Sequence, residues 1–119
     1  MIKKFAFDYD SENDNLFLYN PKSKSKASIE LDDIVIDFNS KKQLSAIEIS
    51  NATKILTSLL KEKTRINKIM LKDIKDCKIE IIKQNNNFII RLFITLKSKQ
   101  IFTPLIIPTI TESKPSLAI

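Results

Sequence analysis

At 119 residues and 43% hydrophobic, the chain is long enough to bury a core without metals or disulfides, and its single cysteine, Cys77, has no intramolecular partner. The lack of any histidine or glycine excludes Ser-His-Asp and Cys-His catalysis, a Cys/His zinc site, a P-loop and a dinucleotide-binding glycine loop. The net charge of +6 is unevenly spread, with nine acidic against seven basic side chains in residues 1–50 and thirteen basic against five acidic in residues 51–119, a split that can mark one acidic and one basic face.

Part of the lysine excess has a simpler source, since Ile, Lys and Asn dominate the chain and A/T-rich codons encode all three. No apolar run approaches the roughly 18 residues of a membrane span, and no signal-like segment follows Met1. The chain is therefore expected to be cytoplasmic.

Taken in order, Phe5, Phe7 and Tyr9 alternate with Lys4, Ala6 and Asp8, the period of a half-buried strand. The turn formers Asp10 to Asn13 lead to a second strand with Leu16 and Leu18 in phase. Folding this hairpin places Phe5, Phe7, Leu16 and Leu18 on one face and Ala6, Asp8, Phe17 and Tyr19 on the other. Pro21 and three lysines mark an exposed loop. A third strand begins near Ala27, and its apolar phase slips between Leu31 and Ile34, which predicts a bulge or corner at Asp32-Asp33. After a turn at residues 39–42, Gln43 to Ile49 returns as a fourth strand.

From Asn51 the period changes to that of a helix. Ser50 or Asn51 can cap it, and Ile55, Leu56, Leu59 and Leu60 form its apolar stripe, ending in the polar run Lys61 to Lys63. A second helix is expected from about Arg65, with Ile66, Ile69, Met70 and Ile74 on one side and Lys68, Lys72 and Lys75 on the other. Residues 78–83 and 88–97 then read as strands joined at Asn85 to Asn87, where asparagine can take the positive φ of a turn. A last strand, Gln100 to Ile107, contains Pro104 and belongs at a sheet edge. The whole predicts one α+β domain over residues 1–110: an N-terminal four-stranded antiparallel meander (2–50), one or two helices (51–76), a C-terminal three-stranded meander (77–107), and a loose tail at 111–119.

The ordered motifs Tyr9-Asp10-x-Glu12-x-Asp14-x-Leu16, Glu30-Leu31-Asp32-Asp33, Val35-Ile36-Asp37-Phe38, Ile47-Glu48-Ile49 and Asn51-Ala52 resemble a family of small prokaryotic proteins, the domain of unknown function numbered two-two-eight-three. The likeness covers residues 5–53, supports the N-terminal sheet and carries no catalytic residue. Some members resemble partners of small neighbouring toxin-like proteins, which implies an antitoxin-type role. The family pattern has glycine where this chain has Lys42 and Ala46. A lysine held at positive φ costs about 1 kcal/mol, so the turn at Lys42 is expected to take another shape.

Three functional classes follow. The helices or the second sheet are expected to cover the face bearing Phe17, Tyr19, Val35 and Leu44, and the leading reading is a non-enzymatic protein-interaction module whose partner, another protein or a second copy, meets what they leave open of the face bearing Phe17, Tyr19, Val35, Asp37, Leu44 and Glu48. The alternative is a nucleic-acid-binding module in which Lys68, Lys72 and Lys75, at i, i+4 and i+7, track a phosphate backbone. Arginine is scarce and no aromatics interleave with those lysines, so a solvated helix face is the commoner meaning. An enzyme using Asp37 and Glu48 as paired carboxylates comes third. No catalytic residue, cofactor or metal is assigned. The EF-hand-like run Asp8, Asp10, Glu12, Asp14 has Asn13 and Tyr19 where glycine and a bidentate glutamate are needed, so Asp10 and Asp14 are expected to fix the turn through backbone hydrogen bonds.

Overall fold

In the computed structural model, which describes residues 2–60, 65–84, 87–97 and 99–108, the side chains of 84, 87–88 and 102–108 excepted, two antiparallel sheets carry the chain. The first contains β2 (Ala6–Asp10), β3 (Asn15–Tyr19), β4 (Ala27–Leu31), β5 (Ile34–Phe38) and β6 (Leu44–Ile49), in the order β2-β3-β6-β5-β4. The second contains β1 (Ile2–Lys4), β7 (Asp76–Gln84), β8 (Asn87–Thr95) and β9 (Gln100–Pro108), in the order β1-β7-β8-β9. Helices α1 (Ala52–Leu59) and α2 (Lys68–Lys72) connect the two. Neither helix is long and apolar enough to cross a membrane, and no other lies among the described residues.

The α+β class agrees with the sequence pattern, β7, β8 and β9 pair in chain order and the Pro104 strand does lie at an edge, but the expected three-stranded C-terminal sheet has a fourth strand, β1, beside β7. The N-terminal sheet departs from the expected four-stranded meander. The slip in phase at Asp32-Asp33 is a two-residue hairpin, with Leu31 paired to Ile34 and Asp32 at φ 54°, so one expected strand is two. The sheet is therefore a hairpin, β2-β3, and a three-stranded meander, β4-β5-β6, zipped together where β6 pairs with β3. Central β6 is flanked by β3 and β5, and five of its six residues are buried. The first strand is also two: β1 pairs with β7, the chain crosses at Phe5, whose N–H donates to the Cys77 carbonyl at 2.9 Å, and β2 pairs with β3.

The core lies between the inner faces of the two sheets. Leu16, Leu18, Ile36, Ile47 and Ile49 from one meet Cys77, Ile79, Ile90, Leu92 and Ile94 from the other, all essentially inaccessible, with Ala52 and Leu56 of α1 and Leu71 of α2 in the same cluster. The second helix is shorter than its pattern suggested. It ends at Lys72 with Asp73 as C-cap, Ile66 and Ile74 are buried beside it rather than on it, and Ile69, expected on the apolar side, is 73% exposed. A five-residue helix makes little more than one turn, too little for the full stripe. The polar run 61–63 that was expected to end the first helix, the turn at 85–86 and the tail 111–119 lie outside the described residues.

Candidate interaction face

The hairpin that opens the five-stranded sheet is fixed by two aspartates. Asp10 Oδ1 accepts the N–H groups of Glu12 and Asn13 at 3.0 and 3.2 Å, and its Oδ2 takes the Asn13 amide at 2.8 Å. These hydrogen bonds, the Asn13 amide foremost, hold its carboxyl below the ordinary aspartate range. Asp10 thus does what its place in the turn predicts.

Asp14 acts at longer range. It takes φ 53°, which turns its carboxylate toward the start of α1, where its two oxygens receive the Thr53 N–H at 3.2 Å and the Thr53 hydroxyl at 2.6 Å. Its backbone carbonyl takes the Ala52 N–H at 2.9 Å, and Tyr9 donates its phenol at 2.6 Å. The expected cap, Asn51, is left-handed at φ 51° and makes no side-chain capping bond. A carboxylate at a helix N-terminus satisfies orphan amides and meets the positive end of the dipole. Partial burial works against the charge, but the bonds from Thr53 and Tyr9 win and Asp14 titrates below its ordinary value. Burial, followed by the neighbouring Asp14, drives the Tyr9 phenol far above its ordinary value. Nothing in the sequence near Asn51 signals this cap, because its donor and acceptor are 39 residues apart.

On the far side of the sheet the register builds two rows. One runs Ala6, Tyr19, Ala46, Asp37, Ser28; the next runs Asp8, Phe17, Glu48, Val35, Glu30. Along the second row a carboxylate alternates with an apolar side chain, and since neighbouring strands lie about 4.8 Å apart the acids repeat at about 10 Å. Phe17 and Tyr19 stack with ring centroids 5.0 Å apart. Asp8, Asp10, Asn15, Phe17 and Glu48 line a shallow depression on this face.

The expectation that the helices or the second sheet cover the Phe17/Tyr19/Val35 side is corrected: they cover the opposite face, and Phe17 stays 36% exposed. Leu44 does not belong to the open face either. A bulge between Asp37 and Phe38 lets Leu44 pair with Phe38, and Leu44 turns into the core, 5% exposed. The remaining five residues, Phe17, Tyr19, Val35, Asp37 and Glu48, share the face.

The two carboxylates proposed as an acid/base pair sit diagonally on adjacent strands, each held by neutral donors of its own. Glu48 takes the Asn15 amide at 2.8 Å, and Asp37 takes the Ser25 and Ser28 hydroxyls at 2.9 and 2.6 Å. Among the described residues no set of three or more cysteine or carboxylate side chains gathers as for a metal.

The three lysines of the nucleic-acid alternative do not lie on one helix face. Lys68 and Lys72 bound α2, whereas Lys75 follows it and leads into β7, its N–H bonded to the Thr95 carbonyl at 2.7 Å.

Residues 6–52 match a family model described as protein of unknown function (DUF2283), and that span runs from the first residue of β2 to the first of α1. Residues 6–52 belong to this family. The family's sheet is therefore the five-stranded one, with β1, the helices and the second sheet built around it. An uncharacterised protein of Methanocaldococcus jannaschii is 50% identical over 52 residues, 44% of this chain and 45% of that protein, so the match spans less than half the relative's length. A protein of Methanosarcina mazei named putative hypoxanthine phosphoribosyltransferase is 32% identical over 93 residues, 78% of this chain and 71% of that one. No solved structure matches the chain.

Proposed function

We propose that this DUF2283 protein is a protein-interaction module whose open sheet face docks a basic partner segment. The observation that carries the reading is the row Asp8, Phe17, Glu48, Val35, Glu30, in which acids and apolar groups alternate on a sheet face that no described element covers. Carboxylates about 10 Å apart suit cations one heptad apart on a helix, since seven residues rise about 10.5 Å. Apolar residues between those cations would meet Phe17 and Val35, and lysine or arginine over the Phe17/Tyr19 pair adds a cation–π term. A small basic toxin-like protein is one partner of this chemistry, and a second copy, through its basic half, is another.

The activity in the Methanosarcina relative's name is a weaker reading for this chain. Nucleotide phosphates are commonly held on glycine-rich turns at helix N-termini; this chain has no glycine, and the N-terminus of α1 already holds the Asp14 carboxylate.

The test is affinity capture from native extract, with nuclease treatment, at low and moderate salt, comparing the wild-type chain with Phe17→Ser/Glu48→Lys. A discrete protein retained by the wild type and lost from the variant, with the variant's melting temperature within a few degrees, is the expected result. Equal retention by both, or recovery only of nucleic acid that salt removes, would defeat the proposal.

A further inference from the structure

At one end the space between the two sheets is filled by α1 and α2, through Ala52, Leu56 and Leu71. Elsewhere along it lies a cleft of about 250 Å³, lined by Phe5, Phe38 and Leu44 on one side and Ile79 and Ile81 on the other, with Lys3, Lys42 and Gln43 completing its wall.

Both lysines are placed there by the backbone. Lys3 stands directly opposite Ile79 in the β1–β7 ladder. Cross-strand partners share a face, so this edge-strand lysine is on the inner face of its sheet although it remains exposed. Lys42 takes φ 61° in the turn between β5 and β6, which Asn39 ties together: its Oδ1 accepts the Lys41 and Gln43 N–H groups, both at 2.9 Å, and its carbonyl accepts that of Lys42 at 3.0 Å. Among the described residues neither lysine has an ion-pair partner, the two bridges being Lys4–Asp76 and Arg91–Glu80.

We propose that this cleft binds a small monocarboxylic acid with an unbranched or singly branched apolar tail of about seven carbons. The tail lies between Phe38 and Leu44 on one sheet and Ile79 and Ile81 on the other. The carboxylate is left at the mouth, where Lys3, Lys42 and the Gln43 amide meet it. Size limits the tail: a cleft of about 250 Å³ lies just below the roughly 300–1,000 Å³ of ordinary small-ligand pockets, which admits a short chain and not a long one. Charge sets the head, because two ammonium groups beside an apolar wall favour one anionic oxygen pair and repel a cationic or zwitterionic head. An apolar pocket with a few convergent polar groups is the usual form of a small-ligand site.

Titration of the ¹⁵N-labelled chain with sodium octanoate, and separately with 1-octanol, followed by amide chemical shifts, tests the site. Saturable octanoate shifts confined to residues 3–5, 38–44 and 79–81 are expected. Lys42→Gly should weaken octanoate about three- to fivefold, as for one exposed ion pair, while raising the melting temperature by relieving the left-handed lysine. The double variant Lys3→Gln/Lys42→Gly should lose about tenfold, with octanol affinity changed less than about twofold. Since Lys42→Gly is expected to stabilise the fold, lost binding cannot be put down to unfolding. Absence of saturable shifts up to about 10 mM, shifts on the open sheet face or at Ile69 and Met70 instead, or octanoate affinity unchanged in the double variant would each overturn the proposal.

Discussion

Among the described residues four stand at positive φ, Asp14, Asp32, Lys42 and Asn51, and do what glycine does elsewhere. For asparagine and aspartate the cost is modest because their short side chains bond locally. Lys42 has no such compensation. The expectation that its turn would change shape is overturned; the network around Asn39 holds the backbone and the lysine bears the strain. Replacing Lys42 by glycine should therefore stabilise the protein by about 1 kcal/mol, read as an upward shift in the urea midpoint with unchanged slope. A destabilised variant would mean that the lysine stem packs on Leu44 well enough to outweigh the strain. Asp14 presents the opposite case, a residue whose φ is repaid by four hydrogen bonds. Asp14→Ala should lose about 2 kcal/mol, the upper range for an N-cap, and Asp14→Asn about half as much.

The pH dependence follows from the same residue. Asp14 titrates below its ordinary value in the folded chain, so its contribution is fully present above the unfolded value of about 3.9 and is lost as pH falls below it. Tyr9 titrates above its ordinary 10.0, so its contribution is present below that value and is lost as pH rises past it. Thermal melts from pH 2 to 11 should show a fall at each end. Asp14→Asn should flatten the acid limb and Tyr9→Phe the alkaline one. An acid limb of the same steepness in Asp14→Asn would show that other carboxylates govern it.

At the scale of elements, what the sequence reveals is what local period encodes. Leu16 and Leu18 against Phe17 and Tyr19 read correctly as two faces of one strand, as did the Asp10 turn and the β7-β8-β9 order. Pairings between distant segments were not legible. Nothing in residues 44–49 says that this strand inserts between β3 and β5, and a bulge that moves Leu44 from one face to the other leaves no mark in an alternation already broken by Ser45 and Ala46. The slip at Asp32-Asp33 was visible, yet a bulge and a two-residue hairpin both reset phase, and only the register separates them. Strand β3 supplies a direct check. Leu18→Ala removes a fully buried side chain and should lose about 3 kcal/mol. Phe17→Ala, one residue away on the open face, should lose under about 1 kcal/mol, since exposed sites outside special features change stability little. Comparable losses in urea titrations of the two variants would mean that Phe17 is covered and that its face is not available to a partner.

For the whole molecule, Cys77 is a built-in reporter of whether the two sheets separate. It lies fully buried on the inner face of β7, at the point where the Phe5 N–H ties the strand crossing to it. Burial, with a smaller part from the charge of neighbouring Asp76, pushes its thiol up to about 12, and since the thiolate is the reactive form the folded chain should be nearly inert to thiol reagents at pH 8. Labelling must then proceed through opening. If the sandwich opens as one unit, the labelling rate follows the global unfolding equilibrium, rising about tenfold for each 1.4 kcal/mol of destabilisation. Leu18→Ala should accelerate it by about two orders of magnitude, and Lys42→Gly should slow it about fivefold. Asp14→Ala discriminates further. If losing the cap only frays α1, the circular dichroism midpoint moves while Cys77 stays protected; if the helix is part of the same cooperative unit, rate and midpoint move together. The single core shared by both sheets and both helices favours the second outcome. A Cys77 that reacts rapidly in the wild-type chain, at a rate unaffected by Leu18→Ala, would show instead that β7 and the crossing at Phe5 open independently of the five-stranded sheet.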